Sequence, residues 1–358
     1  MRPATSLFLD VLRVFAALVV FAHHCSLVLY ANRVWIPGHD AVVIFFVLSG
    51  YVITGSTLTR RNPAVKQYVI ARLTRLYSVV LPALALTVAL ALAGSMINPH
   101  AYALIIRDHD WLRVVATAFF LQAIWWWNLP PPGNGPFWSL GYEFWYYVLF
   151  GLWVFVRDWR WKIGLVLACG LFVGLNVLLL LPIWLLGAAI YLYGHRMSLA
   201  RGSAAVIFVL ALLVTGVLPW YLPEFPAAVG FAPLFYSGSF LTDWLLGLGV
   251  GIAIWSFDQA WGTVAVTSAW EPGIRWGANH TFSLYLFHMP LLVFFNALGV
   301  FQPQLWWSAV LEIGLVLLVI VVLAELTESR RKSLQRLVTR FWDGMGRLRK
   351  QPAPVTTE

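Results

Sequence analysis

The chain has 358 residues, of which 61% are hydrophobic and 11% charged, with a mean hydropathy of +0.78. Soluble domains carry about 25% charged residues, so this composition excludes a water-soluble enzyme and leaves an integral membrane protein. The net charge of +9 does not indicate nucleic acid, because the basic residues sit at the ends of apolar runs and no aromatic-interleaved soluble face accompanies them.

The first apolar run, 7–30, is longer than a signal-peptide core and no small-residue cleavage site follows it, so it reads as a first transmembrane helix. Cys25 and Cys169 lie in apolar segments without disulfide or metal-site spacing, and no metal is expected. Further along the chain, spanning segments are expected at roughly 8–30, 40–58, 76–96, 138–156, 163–180, 183–195, 203–220, 239–256, 279–299 and 305–326. A span needs about 20 residues, so 183–195 is short. The expected fold class is therefore all-α: a polytopic membrane protein of about ten transmembrane helices.

Another run, 111–127, is amphipathic at its start and ends in Trp125-Trp126-Trp127 before Pro130-Pro131-Pro132. If it does not cross and the N-terminus is cytoplasmic, 21 of the 24 Lys and Arg residues fall on the cytoplasmic side, leaving only Arg33, Arg107 and Arg113 outside. That bias follows the positive-inside rule, so 111–127 is expected to be re-entrant or interfacial and both chain ends cytoplasmic. Residues 1–328 then form the transmembrane domain and 329–358 a basic cytoplasmic tail, with 351–358 disordered. No internal repeat is visible, which counts against a transporter.

An ionisable side chain within a membrane span is a functional candidate by default. In the first span Asp10 precedes Arg13 by three residues and can pair with it, and His23 and His24 follow. His24 follows Arg13 by eleven positions, three turns plus roughly 20°, which puts both on one face about 16 Å apart. His23 lies about 80° off that face. Such a face can anchor an anion at one end and do base chemistry at the other; the alternative is a structural histidine bonded to a neighbouring helix. Arg72 and Arg75, at i and i+3, can grip a diphosphate or serve only as topology anchors. Near the start of the fourth span, Ser139 suits a helix cap, and Glu143 one turn deeper needs a partner such as His24 or an arginine. Late in the chain Pro290 frees a backbone carbonyl, and His288 is either a second site histidine or a partner for that loosened backbone. Glu312 is also intramembrane, without an assignable role.

Taken together, these segments resemble the acyltransferase-3 family of bacterial integral-membrane O-acyltransferases. Asp10-x-x-Arg13 with ten residues before His24 is similar to the family's first-helix signature, and Phe45-Phe46-Val47-Leu48-Ser49-Gly50 to its second-helix stretch. Arg72-x-x-Arg75-Leu76-Tyr77, Trp138-Ser139-Leu140-x-x-Glu143 and Ser283-Leu284-Tyr285-Leu286-Phe287-His288 follow in the family's order. Ser78 stands where proline is usual and Gly141 where serine is frequent, and neither change removes a proposed chemical group. The chain ends too soon after the last span to carry the SGNH-type esterase domain of some members.

The resemblance implies transfer of an acyl group, usually acetyl, from cytosolic acyl-CoA to a hydroxyl of a cell-surface or secreted polysaccharide or its lipid-linked precursor. Arg72 and Arg75 would hold the phosphates of acetyl-CoA and Arg13 would flank its pantetheine arm. His24 would remove the hydroxyl proton, with Glu143 stabilising the imidazolium. Asp10, His23, Ser49, Trp138, Ser139, Tyr285 and His288 would support the site, Ser49 or Tyr285 being candidates for the oxyanion donor. A covalent acyl-enzyme stays open. Expected partners are acyl-CoA, a glycan acceptor, membrane lipid and polysaccharide assembly machinery, in a bacterial inner membrane. The rival readings are a transporter or glycan/lipid flippase, and an interaction-only subunit of a separate acetylating enzyme.

Overall fold

A computed structural model describes residues 1–59, 64–222, 228–229, 232–266 and 269–348. Within these lie α1 (Pro3–Tyr30), α2 (Gly38–Leu58), α3 (Val65–Ile97), α4 (Pro99–Tyr102), α5 (Asp110–Ala118), α6 (Phe137–Phe155) and α7 (Trp159–Val173). They continue with α8 (Leu175–Tyr193), α9 (Arg201–Tyr221), α10 (Phe240–Trp261), α11 (Glu271–Ala297), α12 (Trp306–Leu326) and α13 (Arg331–Leu348). A two-residue antiparallel pair, β1 (Ala228–Val229) with β2 (Ala232–Pro233), interrupts the helices between α9 and α10. The protein is an all-α polytopic membrane protein. Uninterrupted apolar runs become helices because lipid offers the backbone no water, and only intra-segment hydrogen bonds satisfy it.

Among the described residues, seven helices are long and apolar enough to cross a membrane: α1, α2, α3, α8, α9, α10 and α12. The remaining three expected spans are also helices, at α6, α7 and α11. α7 has only 15 residues, about 22 Å of helix. The sequence placed the break between the fifth and sixth spans near Leu181-Pro182; it lies instead at Gly174, and Pro182 sits inside α8. Gly174 has a φ of 82°, which suits glycine, and a Cβ there would press on the Trp125 indole. The sixth span is consequently a full 19-residue helix rather than a short one.

Side-chain contacts fix how the helices run. Arg275 donates to Asp10 (2.9 Å) while His288 meets His24 (3.1 Å), so α1 and α11 are parallel. At the His288 end, Asn98 Nδ2 donates to the Ala297 carbonyl just beyond α3. α6 begins at that same end, where Trp138 stacks on His39 of α2. The chain from 98 to 136 therefore leaves and returns on one side, and 111–127 does not cross. Helix α5 is nine residues long, and the backbone after it is irregular, with left-handed φ at Phe120 (58°) and Trp125 (49°).

This irregular stretch is packed within the helices. Phe120, Gln122 and Asn134 are almost inaccessible. The Trp125 amide donates to the Val173 carbonyl (3.0 Å), Asn176 Nδ2 to the Trp125 carbonyl (2.7 Å), and Gln122 Nε2 to the Phe137 carbonyl (2.7 Å). Non-helical backbone at membrane depth persists only under such cover.

The region expected to be a basic tail starts as a helix: α13 packs on α3, with Lys66 and Asp343 forming an ion pair. The expected disorder at 351–358 lies outside the described residues. So do Arg60 and Arg61, which contribute to the charge bias.

α2 and α8 make the closest helix–helix approach that bears on the site. A Cβ on Gly50 would strike the Trp184 carbonyl, and one on Gly187 would strike the Val47 carbonyl, so each glycine admits the other helix's backbone. The approach brings Trp184 Nε1 to 3.2 Å from Ser49 Oγ. Gly187→Val should force the two helices apart, a cost of about 1–3 kcal/mol or more for overpacking. Thermal unfolding of the purified protein checks this; an unaltered Tm would show that the contact is slack.

Candidate active site

Between α1, α2, α3, α6 and α11 lies a cleft with about 680 Å³ of free space. Among its lining residues are Arg13, Ser49, Arg75, Ser139, Glu143 and Tyr285. Phe45, Phe46 and Phe282 supply apolar wall. Six of the residues singled out in sequence therefore meet in one space, although they come from five helices.

Glu143 sits at the cleft's midpoint along α6. Ser49 Oγ donates to its Oε1 at 2.6 Å and Tyr147 OH at 2.5 Å, and Trp184 Nε1 donates in turn to Ser49. The sequence anticipated His24 or an arginine as its partner; among the described residues the hydrogen bonds come from these hydroxyls instead. The i, i+4 spacing of Glu143 and Tyr147 explains one of them, and the Gly50 approach explains the other.

The three arginines separate. Arg13 and Arg75 line the cleft, whereas Arg72 lies behind Tyr147, its guanidinium over the rings of Tyr68 (5.7 Å) and Tyr147 (5.9 Å). Arg72 also donates to Ser56 at 3.3 Å. Arg13 pairs with Asp10 at 3.2 Å as the spacing indicated, and Asp10 is shared with Arg275, which the sequence reading missed. Arg75 forms no ion pair among the described residues. An arginine held inside a membrane protein without a paired carboxylate is a ready anion site.

At the other end, α1 and α11 bring two imidazoles together. His24 Nδ1 lies 2.8 Å from the Val20 carbonyl and 3.1 Å from His288 Nε2, and His288 Nδ1 lies 2.8 Å from the Leu284 carbonyl. A carbonyl can only accept, so each Nδ1 carries hydrogen; the tautomers are inferred from these partners. His288 Nε2 then faces His24 with a lone pair, and His24 Nε2 keeps the lone pair a base needs. His288 is fully buried and His24 partly exposed. His24 does not itself line the cleft. Tyr285, at the cleft's end, stands with its ring centroid 6.3 Å from that of His288 and its hydroxyl 2.7 Å from Ser139. His23 points elsewhere, Nδ1 to the Ile36 carbonyl at 2.7 Å. Ser139 does not cap α6: Pro136 holds the N-cap position and no side chain caps the helix.

The carbonyl freed by Pro290 is that of Leu286, and Asn134 Nδ2 occupies it at 3.0 Å while also donating to Thr87. Asn134 carried no sequence signal beyond a Gly-Asn-Gly turn. The pair His39–Asp243, with Nε2 and Oδ2 3.1 Å apart, was also missed, because the two residues are remote in sequence. Glu312 is fully buried outside the cleft with neither oxygen hydrogen-bonded among the described residues. No group of three or more His, Cys, Asp and Glu among them could hold a metal ion.

The acyltransferase-3 family model, described as an acyltransferase domain, matches residues 6–325. The chain belongs to this family. No curated protein and no solved structure matches it. The family makes the protein a membrane acyltransferase, and its match spans all six of the cleft residues named above together with both imidazoles.

The buried Asn134 bridge should be essential to the acyltransferase fold. Asn134→Leu leaves the Leu286 carbonyl unpaired, a loss of about 1–3 kcal/mol, and a reduced Tm with reduced membrane yield is expected. An Asn134→Leu protein as stable as wild type would mean that another donor reaches that carbonyl.

Proposed function

We propose that the protein transfers an acetyl group from cytosolic acetyl-CoA to a hydroxyl of a cell-surface or secreted polysaccharide, or of its lipid-linked precursor, at a bacterial inner membrane. The observation that carries this reading is the cleft's polarity: Arg75, with no ion pair among the described residues, and Arg13, paired with Asp10, stand at one end, and the His24–His288 pair lies just past Tyr285 at the other. CoA is a chain with anionic phosphates at one end and a thioester at the other, and its long neutral arm suits the aromatic and aliphatic wall between.

In this reaction the acceptor hydroxyl oxygen attacks the thioester carbonyl, the C–S bond breaks, and an ester and free CoA thiol result. His24 Nε2 takes the hydroxyl proton and returns it to the departing thiolate sulfur. The Val20 carbonyl and His288 Nε2 share the His24 Nδ1–H, which holds the ring in the productive tautomer, the part a carboxylate plays in a serine-hydrolase triad. Glu143 stays within its hydroxyl network, and its charge offsets Arg75 and Arg13 across the cleft rather than contacting the imidazole. Arg75 faces the donor's phosphates at the mouth, and Arg72 supports the donor site from behind Tyr147. Both chain termini lie in the cytoplasm on this reading, which puts the arginine end there.

Two measurements test it. Ester-linked acetate released from purified surface polysaccharide should be present with wild type and reduced about 10²–10⁴-fold with His24→Ala at matched membrane levels, the usual scale of a general base. His23→Ala should retain most activity. Equal acetylation by wild type and His24→Ala would remove His24 from the chemistry. Arg75→Ala should weaken acetyl-CoA binding roughly 10–100-fold, as expected for losing a charge-assisted contact of about 1.5–3 kcal/mol, with a smaller effect for Arg72→Ala; unchanged binding in the Arg72→Ala/Arg75→Ala double variant would refute the donor site.

A further inference from the structure

Arg72 does not line the cleft, and the space it borders is a different one. α2 ends at Leu58, α3 begins at Val65 and α6 ends at Phe155, and these helix ends surround a small pocket with about 340 Å³ of free space. Ser56, Thr57, Tyr68, Arg72 and Phe155 are among the residues that line it. Two of its polar groups are buried without a hydrogen-bond partner: Arg72 Nε–H and the hydroxyl of Thr57, a residue only 5% exposed. Arg72 gives one hydrogen bond, to Ser56 Oγ at 3.3 Å, and forms no ion pair among the described residues. None of the described residues lining the pocket is a carboxylate. Buried donors left unmatched are costly, and a guanidinium beside a free hydroxyl is a donor set for a phosphate ester.

A second space runs on from the first. Tyr68, Arg72 and Phe155 also line a groove between α3 and α6, with about 1020 Å³ of free space. Its walls are apolar, with Val69 and Leu73 on α3 and Val148 and Leu152 on α6. The two tyrosine hydroxyls at the groove are spent elsewhere, Tyr68 on the Tyr147 carbonyl (2.8 Å) and Tyr147 on Glu143. Along α6 the groove runs from Val156 inward to Phe144, twelve positions or about 18 Å of helix. That is close to the depth of one leaflet, half of a hydrocarbon core about 30 Å thick. Helical side chains lean toward the helix N-terminus, so Arg72 reaches back along α3 toward the polar pocket at its start.

We infer that the pocket and groove together bind one anionic phospholipid from the leaflet at the arginine end of the bundle, its phosphate at Arg72 and Thr57 and an acyl chain along α6. The uncompensated cation selects a head group whose phosphate carries no ammonium of its own. Neither the acyl donor nor the acceptor of the proposed transfer enters this inference. Tyr147 stands between the lipid and the cleft, so the lipid lies behind the wall of the active site.

The test is native mass spectrometry of the full chain, delipidated in detergent and titrated with phosphatidylglycerol or phosphatidylcholine. Wild type should retain one phosphatidylglycerol on the order of tenfold more tightly than phosphatidylcholine. Thr57→Val keeps the side chain's shape and removes its hydroxyl, and Leu152→Trp fills the groove. Each should weaken phosphatidylglycerol binding roughly tenfold, the scale of one lost hydrogen bond to a charged group, with wild-type Tm and wild-type acetyl-CoA affinity. Equal retention of the two lipids overturns the inference and leaves the groove as ordinary lipid-facing surface. Unchanged binding in either variant overturns it too, as does a loss of binding matched by a fall in Tm. Glycerol 3-phosphate should not displace the lipid; displacement would mean that the pocket takes a free phosphate. Displacement by acetyl-CoA would give Arg72 to the acyl donor and likewise overturn the lipid site. A wild type that retains phosphatidylglycerol but acetylates nothing fails the transfer reading alone, and one that acetylates but discriminates no lipid fails this one alone.

Discussion

A proline inside a membrane helix leaves one carbonyl without its amide, and lipid supplies no water to replace it. In α11 that carbonyl belongs to Leu286, and the side chain of Asn134 reaches it from a loop. The same amide nitrogen donates to Thr87 of α3, so one residue ties together α3, α11 and the segment that leads into α6. Pinning the loop there determines where α6 starts, and with it the register of Trp138, Ser139 and Glu143. On α11, His288 lies two residues before Pro290, in the stretch whose backbone the proline loosens and Asn134 repairs. Asn134 thereby bears on both the α6 and the α11 residues of the site.

Intramembrane charges explain the division of labour between the two ends of the cleft. Burying an isolated charge is expensive, and each buried charge is normally matched by a partner. Asp10 is over-matched, shared by Arg13 and Arg275, while Glu143 takes neutral donors from Ser49 and Tyr147. Arg75 is left as a cation with a cleft in front of it. The histidine end is built the other way, from neutral rings whose tautomers are fixed by main-chain carbonyls. On the proposed reading, this separation lets Arg75 bind an anion with little effect on the imidazoles, since the interaction between charges decays with distance even at low effective dielectric.

Much of this was legible in the sequence, and the reasons for success and failure are physical. Membrane helices announce themselves because length and hydrophobicity are forced by bilayer thickness, and the charge bias correctly kept 111–127 from crossing. The Arg13–Asp10 pair was legible because both residues ride one helix at i, i+3 spacing. Contacts between helices were not: nothing local ties His288 to His24, Ser49 to Glu143, or His39 to Asp243. The break at Gly174 was misplaced because Pro182 is the stronger breaker in water, whereas an apolar helix with packed neighbours tolerates it. Arg72 and Arg75 looked equivalent by spacing, yet the 300° between i and i+3 leaves enough angular offset for Tyr147 to stand between one of them and the cleft.

The choice of an imidazole, rather than a carboxylate, to orient His24 has a consequence of its own. A buried carboxylate beside His24 would favour the protonated ring and so work against its use as a base. His288 gives direction without charge: its Nε2 shares the His24 Nδ1–H with the Val20 carbonyl, and its own Nδ1–H is donated to the Leu284 carbonyl. On the proposed mechanism the pair keeps His24 aimed until a hydroxyl arrives, at the cost of less stabilisation once the imidazolium forms. That arrangement suits the proposed thioester donor, whose thiolate leaves without prior protonation and whose reaction asks less of the base than hydrolysis of an amide. Glu143 lies on the cleft side, where it can balance Arg75 without contacting the ring of His24.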